Sequence, residues 1–213
     1  MDLEAARARL LKSLAREIND TRVIEAMARV RREDFVPPSS KHLAYEDIPL
    51  PIGLGQTISQ PYIVAIMTQA LELTPKARVL EVGTGSGYQA AILSLLAGRV
   101  ITVERQRALA EAARDLLARL GHLNVEVRDA LDGLGWPEDA PFDAIIVAAG
   151  APGIPQALLD QLADKGRLVI PVGSRYNQDL LLVIKAGGHI RTQSQGPCRF
   201  VPLIGEGGWP EEE

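Results

Sequence analysis

The sequence predicts an α/β domain: a doubly wound, mostly parallel sheet with antiparallel C-terminal strands and an N-terminal helical extension. Three observations carry that expectation. From residue 77 onward, short runs rich in Val and Ile alternate with longer amphipathic segments, the pattern of strands joined by crossover helices. The early runs are apolar at consecutive positions, as strands covered by helices on both faces must be. A glycine-rich turn, Gly83-Thr84-Gly85-Ser86-Gly87, follows the first run and precedes a helical pattern, which is where such folds receive a nucleotide-like ligand.

The elements follow in order. Residues 2–18 place Leu3, Ala6, Leu10, Leu14 and Ile18 at spacings of three and four, one face of a helix. Asp20-Thr21 offers N-cap chemistry for a second helix ending near Val30. Arg29, Arg31 and Arg32 read as a solvated face able to steer an anionic peptide. Between Pro37 and Gln60 the periodicity disappears under repeated Pro and Gly, and so long a connection usually belongs to function. Pro61 then suits the first position of a helix bearing Ile63, Ile66, Met67, Ala70 and Leu71. Strands are expected at 78–82, 100–103, 125–128, 144–148, 167–171 and 180–185, with helices at 89–96, 106–120 and 156–162 between them. Gly187-Gly188 before 190–193 marks a hairpin, and Glu211–Glu213 is an acidic tail expected to fray. The whole of 1–213 is expected to form one domain: helices and an active-site loop over 1–60, a ligand-binding core over 61–175, and C-terminal strands with a substrate edge over 176–213.

Composition narrows the function. The 213 residues carry 23 Lys+Arg against 27 Asp+Glu, a net charge of -4, so nothing draws the chain in bulk to polyanions. A hydrophobic share of 46% excludes a disordered chain. One cysteine, Cys198, excludes a disulfide framework and reads as a small apolar filler. His42, His122 and His189 stand far apart, so no metal site is expected. The mixed charges of the N-terminus lack the apolar core of a signal peptide, and the uncharged stretch 48–71 is broken by Pro49, Pro51 and Pro61. A soluble cytoplasmic protein is expected.

The glycine turn identifies a class of ligand. Its spacing is G-x-G-x-G rather than the G-x-G-x-x-G of dinucleotide sites, and Glu81 stands two residues before the first glycine. A carboxylate there suits a cationic ligand, one with an ammonium and a sulfonium, better than a diphosphate, which favours S-adenosylmethionine. Glu104, just after the second strand, can accept hydrogen bonds from both ribose hydroxyls, and Asp129 ends the third strand near where an adenine would lie. A turn that merely packs helix on strand, or a dinucleotide site, are the competing readings.

Residues 53–61, Gly-Leu-Gly-Gln-Thr-Ile-Ser-Gln-Pro, are the second informative segment. Ser59 or Gln60 would serve as the cap of the helix begun by Pro61. Equally, the Ser59 hydroxyl can donate a hydrogen bond to an anionic substrate; no Gly-x-Ser-x-Gly elbow points to a covalent nucleophile.

Across nearly its whole length the chain resembles the protein-L-isoaspartate O-methyltransferase family, whose fold is a Rossmann-like class I methyltransferase. The resemblance rests on 32–37 (Arg-Glu-Asp-Phe-Val-Pro), 44–47 (Ala-Tyr-Glu-Asp), 55–61, 81–87, 142–149, 166–173 and 199–203 (Arg-Phe-Val-Pro-Leu). The Gln56-Thr57-Ile58-Ser59 stretch is its most specific part. The resemblance implies S-adenosylmethionine as cofactor, with S-adenosylhomocysteine as product. It implies Ser59 as the catalytic and substrate-binding serine, and Gln56, Thr57 and Ile58 closing over the cofactor. Glu81, Gly83, Gly85, Gly87, Glu104, Asp129 and Ala130 fall at cofactor-binding positions, although the family usually has glycine where Ala130 stands. Val201, Pro202 and Leu203 match its peptide-docking edge.

The implied reaction methylates the free carboxylate of isoaspartyl residues in damaged peptides and proteins. That carboxylate, with a reference pKa of about 3.5, is already ionised at neutral pH, so no general base is needed. A methyltransferase acting on a small molecule or nucleic acid is the alternative. Against base methylation, residues 148–152 read Ala-Ala-Gly-Ala-Pro, without the amide and aromatic stacker such enzymes carry after the fourth strand. A non-catalytic adenosyl-binding module is the third reading. The partners expected are isoaspartyl peptides and proteins, with no nucleic acid, no membrane and a monomeric chain.

Overall fold

A computed structural model of the protein describes residues 2–131 and 133–211. The chain runs α1 (Leu3–Leu14), α2 (Thr21–Arg29), β1 (Leu50–Gly53), β2 (Gln56–Ile58), α3 (Pro61–Ala70), β3 (Arg78–Val82), α4 (Tyr88–Ser94), β4 (Arg99–Glu104), α5 (Arg107–Arg119), β5 (Val125–Asp129), β6 (Phe142–Val147), α6 (Gln156–Gln161), β7 (Leu162–Gly173), β8 (Gln178–Ala186) and β9 (His189–Cys198). Of the acidic tail, 212 and 213 lie outside the described residues.

The main sheet has seven strands in the order β5-β4-β3-β6-β7-β8-β9. β5, β4, β3, β6 and β7 are parallel, while β8 and β9 return antiparallel. This is the doubly wound sheet that the sequence predicts. The β8–β9 hairpin turns at Gly187-Gly188, whose φ values of 56° and 78° are what a two-residue turn of matching twist requires.

Alternation along the strands sends side chains to two faces, and both are buried. Leu80, Ile101, Ile145 and Leu168 fill one layer, with α6 against it through Leu158. Val79, Val100, Ile146 and Val169 fill the other, under Met67 and Leu71 at α3. Each fully buried side chain of this kind contributes roughly 1.5–3 kcal/mol. The N-terminal helices add a third cluster, in which Leu10, Leu14, Val23 and Met27 join Ala90 and Ala91 of α4.

The cap expected at the second helix is present, and the first helix has one as well. Asp2 accepts from the Glu4 and Ala5 amides, and Asp20 from that of Arg22. The Pro/Gly-rich stretch carries more order than its composition reveals. It contains a 3-10 turn over Pro38–Leu43 and the antiparallel β1–β2 hairpin, with Leu50 opposite Ile58. Gly53, Leu54 and Gly55 at the tip all have positive φ.

One sequence expectation fails here. Arg29 and Arg31 do flank a shallow surface depression, but Arg32 is not on a solvated face: it is 0% exposed. Its guanidinium donates to the carbonyls of Ala44 (2.7 Å), Ile48 (3.1 Å) and Ser59 (3.0 Å). No helix among the described residues is long and apolar enough to cross a membrane.

β3 is the switch point. Its neighbours β4 and β6 lie on opposite sides, so the chain departs in opposite directions and leaves a crevice beyond the carboxyl ends of these strands.

Candidate active site

A cavity of about 490 Å³ occupies that crevice. Its floor is the turn after β3. Gly85 has φ 51°, and a Cβ there would lie 3.3 Å from Ile52 Cδ1 of the β1–β2 hairpin. The glycine therefore lets the hairpin close onto the loop. Gln56, Thr57, Ile58 and Ser59 border the same cavity as Glu81, Gly83, Gly85 and Glu104. Residues far apart in sequence thus meet in one place.

Glu104 follows β4 directly and is 8% exposed. Its Oε2 accepts the Gly85 amide at 2.8 Å, and its Oε1 accepts the Gln106 amide at 2.9 Å. An ionised carboxylate has about four acceptor positions, so each oxygen retains capacity for a ligand hydroxyl.

Glu81 is fully buried on β3. Thr102 Oγ1 donates to its Oε2 at 2.5 Å and stands 2.6 Å from Thr84 Oγ1. Because the Thr102 proton goes to Glu81, Thr84 must donate to Thr102, and the chain of hydroxyls runs toward the carboxylate. Glu81 Oε1 is buried with no protein partner among the described residues. Burial pushes the carboxyl up to about 8; the Thr102 bond opposes the rise and the Glu104 charge adds to it. An orphaned acid oxygen beside a cavity fits a cationic group, and here the residues suit the ammonium or sulfonium of S-adenosylmethionine.

Ser59 is half-buried at the cavity wall. It does not cap α3, and neither does Gln60, whose side chain makes no capping bond. Asp47 takes that role from a distance: its Oδ1 accepts the Tyr62 amide at 2.8 Å, and its Oδ2 accepts Gln60 Nε2 at 3.0 Å. The Ser59 hydroxyl makes no hydrogen bond among the described residues.

Val201, Pro202 and Leu203 also line the cavity. They run beside Gly150 after β6: the Gly150 amide donates to Val201 O, and the Leu203 amide to Gly150 O, both at 2.8 Å. Farther along the chain Glu211 also borders the cavity, and its Oε1 accepts from Arg105 Nη1 at 2.7 Å.

Two of the sequence candidates lie off the cavity wall. Gly87, φ 85°, starts α4 and faces Leu117, 3.2 Å from where its Cβ would be. Asp129 ends the edge strand β5 with its side chain 59% exposed, 3.9 Å from Arg114; Ala130 and Leu131 border the cavity in its stead. Ala130 is not among the residues with positive φ, so the position does not need glycine, and its amide donates to Glu104 O at 2.8 Å. Sequence reasoning missed Thr84, Thr102, Arg32 and Asp47. The signal for Thr102 was its place two residues before Glu104 on an alternating strand, and for Thr84 its place inside the glycine turn; nothing in local spacing pointed to Arg32 or Asp47.

Among solved structures, a Plasmodium falciparum protein described as a protein-L-isoaspartate O-methyltransferase, crystallised with S-adenosyl-L-homocysteine, is similar with a TM-score of 0.81 and 29% identity, over 91% of this chain and 95% of that one. The sheet order, the turn after β3 and this likeness define a Rossmann-like methyltransferase. The family model for protein-L-isoaspartate(D-aspartate) O-methyltransferase matches residues 5–208. A protein-L-isoaspartate O-methyltransferase of Geobacter metallireducens is 54% identical over the full length of both chains. One from Methanoculleus marisnigri is also 54% identical, over 93% of this chain and 90% of that one. The chain belongs to the protein-L-isoaspartate(D-aspartate) O-methyltransferase family.

Proposed function

We infer that the protein methylates the free carboxylate of L-isoaspartyl residues in damaged peptides and proteins, using S-adenosylmethionine, as a step of repair. The observation that carries this reading at the level of the site is a free serine hydroxyl, Ser59, on the wall of the cavity that Glu81 and Glu104 also border.

When bound, S-adenosylmethionine supplies an electrophilic methyl group on a positively charged sulfur. Glu104 would accept the ribose hydroxyls, Ala130 and Leu131 would flank the adenine, and Glu81 would face the cationic end. Gln56, Thr57 and Ile58 would cover the ligand, because the hairpin that carries Gln56–Ile58 already rests on Gly85 through Ile52. The substrate carboxylate arrives ionised, so Ser59 need move no proton: its hydroxyl donates one hydrogen bond and holds the oxygen in line. Positioning of this kind is where much of the rate is gained. The apolar wall of Val64, Val103 and Leu203 lowers the local dielectric, which favours a reaction that consumes one negative and one positive charge.

Transfer of labelled methyl groups to an isoaspartyl peptide and to its matched aspartyl peptide tests the reading. Label is expected in the isoaspartyl peptide as a base-labile ester. Equal labelling of both, or label only in nucleic acid or small molecules, would refute it.

A further inference from the structure

We propose that Arg32 and Asp47 are positioning residues for Ser59, one anchoring its carbonyl from within the fold and the other bracing the residues after it. The proposal rests on reading Ser59 as the hydroxyl that holds the substrate carboxylate.

Arg32 is fully buried, with no carboxylate in ion-pair contact among the described residues. Its partners are three neutral carbonyls and the Tyr88 ring, whose centroid lies 5.9 Å from the guanidinium carbon, while its Nε has no partner among the described residues. Burying a charge with no carboxylate in direct contact costs stability, although the Asp47 charge acts on it from farther off, and an apolar side chain would serve packing better. An apolar side chain could not, however, gather carbonyls from positions 44, 48 and 59 onto one rigid fork.

Two of those carbonyls, Ala44 and Ile48, bracket Asp47. The strap 44–48 is thus fastened to the interior by Arg32 and to α3 by Asp47, through the Tyr62 amide and the Gln60 side chain. Ser59 lies where the two fastenings meet. Its carbonyl is held on one side, the next residue's side chain is held on the other, and its own hydroxyl is left unbonded. Fixing the backbone around a serine limits its hydroxyl to the few directions its staggered rotamers allow, without touching the substrate.

A fold-holding role and a positioning role separate in a double-mutant cycle. Arg32→Lys keeps the charge but loses the fork; Asp47→Ala removes an exposed side chain and is expected to fold. Each is made alone and with Ser59→Ala, and kcat and KM for an isoaspartyl peptide are measured beside calorimetric affinity for S-adenosylhomocysteine. With Ser59 present, each is expected to lower kcat by about 5- to 10-fold, with the S-adenosylhomocysteine Kd changed less than about 2-fold. In the Ser59→Ala background each is expected to cost less than about 2-fold further, since the group being positioned is gone. Asp47→Asn, which keeps an acceptor for the Tyr62 amide, is expected to restore more than half of the turnover lost in Asp47→Ala. Equal factors in both backgrounds, or unaltered kcat in the single variants, would overturn the proposal alone. Wild-type kcat in Ser59→Ala would overturn the reading of Ser59 and the proposal with it. Should Arg32→Lys fail to fold, the Asp47 arm decides the matter.

Discussion

Glu104 is bonded to the loop that forms the cavity floor: its Oε2 accepts the Gly85 amide at 2.8 Å, nineteen positions back along the chain. The carboxylate therefore shapes the glycine turn while keeping lone pairs for a ligand. Glu104→Ala is expected to weaken S-adenosylmethionine by roughly 1–3 kcal/mol, the scale of a lost charge-assisted bond. Glu104→Gln, which retains one acceptor oxygen, should fall between. Calorimetric titration checks both, and wild-type affinity in the alanine variant would remove Glu104 from the binding site.

Glu81 makes the site sensitive to pH. In the folded chain its carboxyl is raised to about 8, first by burial, whereas in the unfolded chain it ionises in the ordinary range of about 4.3. Its contribution to stability is fully present below the unfolded value and is lost as pH rises through about 8. A cationic ligand favours the ionised form, so affinity for S-adenosylmethionine should rise with pH until the free carboxyl ionises at about 8, with proton release on binding below that value. Glu81→Gln should flatten both trends. Thermal unfolding of the ligand-free protein and calorimetry in buffers of different ionisation enthalpy measure them; an affinity independent of pH would contradict the assignment.

Ser59→Ala is expected to lower turnover on isoaspartyl peptides about 10-fold or more while leaving the thermal midpoint within a degree or two, because Asp47 caps α3. A fall in stability of about 1 kcal/mol with full turnover would instead mark Ser59 as a capping residue.

Ala130→Gly restores the residue usual in the family. Since the backbone there is not left-handed, the change should only loosen the unfolded chain's constraint and cost about 0.4–1 kcal/mol. Denaturant titration reads the loss, and ligand affinity is expected to stay the same. A gain in affinity would mean that a Cβ obstructs the adenine.

Legibility in the sequence followed the range of the interactions. β3 occupies 78–82 as its Val-Leu-Glu-Val pattern predicts, because burial on two faces writes itself into consecutive residues. The glycine turn and Glu104 were legible for the same reason: strand, turn and carboxylate lie within one local unit. Arg32 was not. Three arginines within four residues look alike, and only the tertiary arrangement brings the carbonyls of 44, 48 and 59 around one of them. The cap of α3 was misplaced because local rules seek it at Ser59 or Gln60, while the acceptor is Asp47, reached through the loop. Asp129 ends an edge strand, where no further strand confines its side chain and Arg114 stands beside it.

The strip 201–203 has little left to give a visiting peptide. Proline has no amide hydrogen, the Leu203 amide and the Val201 carbonyl are both spent on Gly150, and the Leu203 carbonyl already accepts from Trp209. On the edge turned away from Gly150 what remains is the carbonyl of Pro202. An edge with so few free main-chain groups adds little sequence reading of its own to the cavity it borders.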